Sequence, residues 1–299
     1  MDQHSWLTER FEENRPRLRG VAYRMLGSLS EAEDAVQEAW LRLDGVDAAT
    51  IENLSGWLTT VVSRVCLDML RGRKSRREES IGAQITEPRA VRGEGADPEG
   101  EALLADSVGV ALLIVLDTLT PAERLVFVLH DLFALPFDEI GSIVGRSPAA
   151  AKQLASRARR RVRGSTAPSD TRKARQREVV EAFLKAARDG DLEGLLAVLD
   201  PDAVIRIDGA ARIAGGAADA ADTPRELSGA STWARQFIAM SRGLRFVQPA
   251  LIDGSVGLIL APGGKLSRVL AFTFTNAKIA RLEVIGDPAH LRELSIAVL

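Results

Sequence analysis

At 299 residues, with 46% hydrophobic and 27% charged side chains, the chain is long enough for two or three cores and has a globular composition, not a collagen-like or wholly disordered one. One cysteine, Cys66, excludes an internal disulfide framework, and His4, His130 and His290 are too scattered for metal-ligand spacing, so no metal and no cofactor are expected. The formal net charge of −2 hides clustering: Arg64 to Arg77 holds six basic residues against Asp68 alone, and Arg146 to Arg163 holds seven with no acid. Two such segments point to a polyanion.

The longest apolar run, Val108 to Leu116, is far short of the roughly 20 residues of a membrane span. The first residues lack the apolar stretch of a signal peptide, which places the chain in the cytoplasm with no membrane partner.

Residues 5–77 read as helical. Leu18, Val21, Ala22, Met25 and Leu26 recur at helical spacing, as do Ala35, Val36, Ala39, Trp40 and Leu43, with Ser30 and Glu33 expected as the capping box of the second helix. After a break at Asp44 to Asn53, a helix from Ser55 carries Leu58, Val61, Val62, Val65, Cys66, Met69 and Leu70 on one face and ends in the first basic cluster. Glu78 to Glu101 has four Gly, two Pro and seven acids against two bases, the composition of an exposed linker.

Between Phe137 and Arg163 the pattern is that of a helix-turn-helix. Ile140, Ile143 and Val144 face inward, a glycine turn follows, Ser147 caps the next helix and Pro148 fills its first position. The second helix is expected to bury Ala151, Leu154, Ala158 and Val162 and to turn Lys152, Gln153, Ser156, Arg157, Arg159 and Arg160 outward, as a major-groove reader would. A merely solvated basic helix is the alternative, and the Gly-x-Ser-Pro turn with its acid-free continuation favours DNA.

Beyond 165–172 the grammar changes to a helix over 173–188, a short one at 192–199, and runs expected as strands at 203–207, 245–252, 256–261, 267–275 and 279–285. Turns are expected at Asp253-Gly254, Gly263-Gly264 and Asn276. This last third reads as α+β with an antiparallel sheet.

Leu18 to Leu43 and Ile51 to Arg77 resemble region 2, and Leu116 to Arg163 resembles region 4, of the extracytoplasmic-function sigma factors of the sigma-70 family. The resemblance implies two all-α domains, 1–80 and 106–165, joined by a flexible acidic linker at 81–105. It implies that Glu33, Asp34, Gln37 and Glu38 grip core RNA polymerase and that residues 44–53 hold a flipped base of promoter DNA. Trp57, Arg64, Arg71, Arg73, Lys74, Arg76 and Arg77 are then expected at the opened minus-10 element, although Trp57 is equally readable as core. Ser147, Lys152, Gln153, Ser156, Arg157 and Arg160 are expected at the minus-35 element, with Arg159 to Arg161 on phosphates.

Residues 166–299 resemble a SnoaL-like cone, a curved antiparallel sheet wrapped on helices, which in such sigma factors regulates the core in cis. Asp208, Gly209 and Arg212 stand where that subgroup has an Asp-Gly-Gly-Gly-Lys motif, and Asp287 and Pro288 where it has Asn-Pro-Asp-Lys-Leu. Trp233, Phe237, Phe272 and Phe274 either line a pocket for a small-molecule ligand or fill the core. No catalytic residue is expected, and Asp208 with Arg206 is the one pair open to nomination. Two rivals stay open: a helix-turn-helix regulator that does not bind polymerase, and a SnoaL-like enzyme with a DNA-binding appendage.

Overall fold

The computed structural model describes residues 3–46, 51–80, 109–164, 171–208, 225–239, 247–262 and 265–299. The expected linker at 81–105 and the turn Gly263-Gly264 lie outside them. The chain divides into two compact units, residues 1–108 with 116–160, and residues 109–115 with 161–299.

The first unit is helical. α1 (Gln3–Leu26), α2 (Leu29–Asp44) and α3 (Leu54–Ser80) pack on one another around Leu18, Val21, Met25, Leu43 and Leu58, each 1% exposed or less. Gly27 ends α1 in the left-handed conformation, its N–H donating to the Tyr23 carbonyl at 2.8 Å, and the chain turns at once into α2. The cap of α2 is Ser28, not Ser30: the hydroxyl of Ser28 accepts from the Glu31 amide at 3.4 Å, and Ser30 lies inside the helix. The sequence offers a Ser-x-x-Glu pair at both positions, and the glycine stop just before Ser28 decides between them.

The helix-turn-helix follows. α4 (Val110–Asp117) leads to α5 (Pro121–Phe127), which starts in a capping box between Thr120 and Glu123 and runs into a π-helical turn at Val128–Leu132. α6 (Phe137–Val144) ends at Gly145, φ 71°, and α7 (Pro148–Arg163) starts with the Ala150 amide donating to the Ser147 hydroxyl at 3.2 Å. α7 buries Ala151, Ala155, Ala158 and Val162; the expected stripe had Leu154, which is half-buried, in place of Ala155.

The second unit is a helix-backed curved sheet. α8 (Thr171–Asp189) and α9 (Leu192–Val198) precede β1 (Leu199–Ile207) and β2 (Arg225–Ser228). Then come α10 (Ala230–Ala239), β3 (Val247–Ile252), β4 (Ser255–Leu260), β5 (Arg268–Thr275), β6 (Lys278–Ile285), α11 (Pro288–Glu293) and β7 (Ile296–Ala297). The strand order is β2-β1-β6-β5-β4-β3-β7. β3 to β6 form a meander of antiparallel pairs. The antiparallel expectation fails at one place: β1 lies parallel to β6, Ile205 opposite Leu282, because the chain goes round through the whole meander before returning. Phe183, Phe237, Leu195, Ile205, Leu258 and Leu282 meet in the core.

The second unit also takes in the start of α4 and the last turn of α7. Within it the Val110 amide donates to Gln248 Oε1 at 3.0 Å, and the Val298 amide donates to the Val162 carbonyl at 2.9 Å.

Candidate nucleic-acid interface

On α7 the alanine face is inward, so the opposite face is free for ligands: Lys152, Gln153, Ser156, Arg157 and Arg160 are exposed. Small side chains on the buried face hold the helix close to its support, and long polar ones project from the other. Ser147 is exposed but its hydroxyl is engaged as the cap. Arg157 Nε lies 4.0 Å from a carboxylate oxygen of Glu123, and Arg159, half-buried, is tied to Asp131 at 2.5 Å. Arg159 therefore has a structural partner where a phosphate contact was expected.

The basic end of α3 is similarly divided. Arg64 is exposed and donates to the Ser142 carbonyl of α6 at 3.3 Å, so in this arrangement it joins the two helical modules. Arg71 is exposed beside Asp68 at 3.6 Å. Arg73 donates to the Leu26 carbonyl at 3.1 Å and forms an ion pair with Glu31, fastening α3 to the α1–α2 corner. Lys74, Arg76 and Arg77 belong to α3, and their side chains lie outside the described residues. Trp57 is half-buried in the first turn of α3. In the 44–53 segment, residues 47–50 lie outside the description.

α2 buries Ala32, Ala35, Val36, Ala39 and Leu43 and presents an acidic face opposite. Asp34 and Gln37 are exposed; Glu38 bridges to Arg42 at 2.9 Å, and Glu33 receives Arg15 and Arg19 at 3.4 Å each. The four expected residues share one helix face, and Glu33 is already paired with two arginines.

Between the modules lies a residue that sequence reasoning missed. Arg124 of α5 is 3% exposed, donates to the Arg24 carbonyl at 3.1 Å and forms an ion pair with Asp117. Burial pushes its guanidinium pKa down, opposed by Asp117; burial likewise lowers that of Arg24. Burial raises the Cys66 thiol to about 12, and the nearby Arg124 charge works against this. No local signal marks Arg124, since an arginine in mid-helix ordinarily reads as solvent-facing.

In the sheet unit, Asp208 joins two of the expected motifs. One of its carboxylate oxygens accepts from the Gly286 amide at 2.7 Å and the Asp287 amide at 2.9 Å, and Asp287 caps α11 by accepting from the His290 amide at 2.7 Å. Pro288 is the first residue of that helix. Gly209 and Arg212 lie outside the described residues. The alternation of β1 buries Ile205 and Ile207 and leaves Arg206 exposed on the face away from the core. Phe237 and Phe272 pack edge-on to Phe183, with ring centroids 5.2 and 5.5 Å away, so these two serve the core; the Trp233 side chain is outside the description.

Residues 10–76 match the model of sigma-70 region 2 and residues 110–162 that of sigma-70 region 4. The chain is 34% identical over 294 residues, 98% of each chain, to the probable ECF RNA polymerase sigma factor SigI of Mycobacterium tuberculosis. The chain belongs to the extracytoplasmic-function sigma factors. This sigma factor is also 37% identical to the ECF RNA polymerase sigma factor SigJ of Mycobacterium tuberculosis, over 93% of its own length and 91% of the relative's. The crystal structure of SigJ is similar as well, with 33% identity over 95% of this chain and 98% of that one and a TM-score of 0.44. Sigma factors bind core RNA polymerase and promoter DNA and are not themselves enzymes. Among the described residues no helix is long and apolar enough to cross a membrane, and no cluster of acidic, histidine and cysteine side chains could hold a metal ion.

Proposed function

We propose that this sigma factor works in the cytoplasm as the promoter-specificity subunit of RNA polymerase. In this reading α7 reads the minus-35 element through Lys152, Gln153, Ser156, Arg157 and Arg160, and the acidic face of α2 engages the core enzyme through Asp34, Gln37 and Glu38. The observation that carries it is α7, with four small or branched residues buried on one face and five polar or cationic ones exposed on the other. Bidentate contacts from such side chains discriminate against a wrong base by roughly 1 to 3 kcal/mol each. Trp57, Arg64 and the basic end of α3 meet the melted minus-10 strand once Arg64 leaves the Ser142 carbonyl.

The C-terminal unit regulates in cis and catalyses nothing. Support comes from the bonds of Val110 to Gln248 and of Val298 to Val162, which fasten both ends of the helix-turn-helix segment into that unit. Asp208 accepts from two backbone amides and Arg206 faces away from the core, which supports a structural role for both.

The test is run-off transcription by core polymerase with the full chain, with a version ending before Thr171, and with the Asp34→Lys/Glu38→Lys double variant. The reading expects initiation from the full chain, altered output from the shortened one, and loss of polymerase binding with folding intact for the charge reversal. A core enzyme that gains no initiation from either length overturns it.

A further inference from the structure

A cavity of about 530 Å3 opens in the C-terminal unit between the first turns of α8 and the β5–β6 hairpin. Its two walls differ in chemistry. Arg172, Arg175 and Gln176 come from the helix; Phe272 and Phe274 come from β5, and Asn276 stands at the hairpin turn. Arg172 and Arg175, three residues apart, lie on one side of the helix, so a single turn offers two guanidinium forks to the same space. Among the described residues no acidic side chain lines the cavity, and Arg175 and Gln176 have no hydrogen-bond or ion-pair partner, whereas Arg172 already makes an interaction of its own. Phe272 is 6% exposed and edge-on to Phe183, while Phe274 is only partly buried, so the apolar wall is the core itself coming to the surface.

We propose that this cavity binds a small hydrophobic carboxylic acid, with its carboxylate on Arg172 and Arg175 and its ring or hydrocarbon body against Phe272 and Phe274. Each wall favours that choice. A planar guanidinium fork matches a carboxylate in a bidentate geometry. An aromatic wall rewards a ligand whose other end is apolar. The volume is that of an ordinary small-molecule site, in the range of roughly 300 to 1,000 Å3. A nucleic-acid backbone would need an extended cationic track, and the two arginines sit on one helical turn beside an apolar wall. The site goes beyond promoter recognition: it gives the sheet unit a ligand class, and binding stands or falls independently of whether the chain initiates transcription.

The experiment is isothermal titration calorimetry of the full chain with 2-naphthoate and with decanoate at up to millimolar concentration. The neutral alcohol 2-naphthalenemethanol and inorganic phosphate serve as comparisons, and Arg175→Gln and Arg175→Lys as variants. The expected result is saturable binding of at least one acid, weakened about tenfold or more by Arg175→Gln with an unchanged melting temperature, and several-fold by Arg175→Lys, which keeps the charge but loses the fork. Neither the alcohol nor phosphate should compete. The proposal is overturned if neither acid saturates, if the alcohol binds as tightly, if phosphate displaces the acid at equal concentration, or if both variants bind as the parent does. Run-off transcription with and without 2-naphthoate then separates the two readings: unchanged output with intact binding keeps the site and removes it as a switch.

Discussion

Arg124 reaches from α5 to the end of α1, where its Nε–H donates to the main-chain carbonyl of Arg24 at 3.1 Å. The C-terminal end of a helix carries unsatisfied carbonyls and a partial negative charge, so a buried cation there is well placed. Its carboxylate partner, Asp117, is mostly exposed, and one terminal nitrogen of Arg124 is buried with no hydrogen-bond partner among the described residues. The two helical modules are thus held together by a group that gains from the contact and is only partly satisfied by it.

Arg124→Ala should destabilise the helical unit by about 3 kcal/mol, because it removes both bonds and leaves the Arg24 carbonyl unmatched. Arg124→Met, which refills the space without a charge to desolvate, should cost less than half of that. Urea titrations followed by circular dichroism compare them. Two neutral variants would mean that the guanidinium contributes nothing to the packing.

Of the two glycines in the helix-turn-helix, Gly141 is the crowded one. A Cβ there would stand 2.8 Å from the Arg146 carbonyl oxygen and 3.3 Å from the Pro148 nitrogen, both backbone atoms of the turn. Gly141→Ala should therefore cost about 1 to 3 kcal/mol and tilt α7 away from its support. Binding of a minus-35 duplex, measured by fluorescence anisotropy at fixed salt, should fall by more than the loss of folded protein accounts for. Equal losses would place the damage in stability alone.

Cys66 is 0% exposed, and burial raises its thiol from 9.0 to about 12. The folded state keeps the proton that the unfolded chain begins to lose near pH 9. The associated stability is complete below that pH and disappears as pH rises toward about 12. At pH 8 the native protein should resist a disulfide reagent that labels it fully in denaturant. Because α3 packs on α5, the space opened by Arg124→Ala should speed labelling of the folded protein, even though loss of the Arg124 charge by itself holds the thiol more firmly protonated. Fast labelling of the parent protein would contradict the burial.

Asp208→Ala should release the turn at Gly286 and Asp287, costing about 1 to 3 kcal/mol through two orphaned amides, while Asp208→Asn, which keeps one acceptor, should cost less. Hydrogen exchange at those two amides reads the change directly. Unaltered protection in Asp208→Ala would show that the bonds do not hold the turn.

Elements fixed by local grammar were legible in the sequence. The glycine, serine and proline of the α6–α7 turn specify its caps, and Asp253-Gly254 forms a two-residue hairpin turn with φ values of 48° and 81°. What was not legible depends on distance. β2 and β7 are four and two residues long and exist because β1 and β3 offer edges to pair with, so neither announces itself in periodicity. Likewise nothing near Arg73 or Arg64 tells that one is fastened to Leu26 and Glu31, or that the other donates to Ser142 in another module. Composition identified the cationic helices; only tertiary contacts separate the arginines left available from those already engaged.

The parallel pairing of β1 with β6 also sets an order of events on the ribosome. β1 ends at Ile207 and cannot close its ladder until Lys278–Ile285 has emerged, about seventy residues later, which is several seconds of synthesis. The helical modules, built from contacts close in sequence, need no such wait. Each newborn molecule therefore passes through an interval in which its helical modules can already fold while its C-terminal sheet still lacks a central strand.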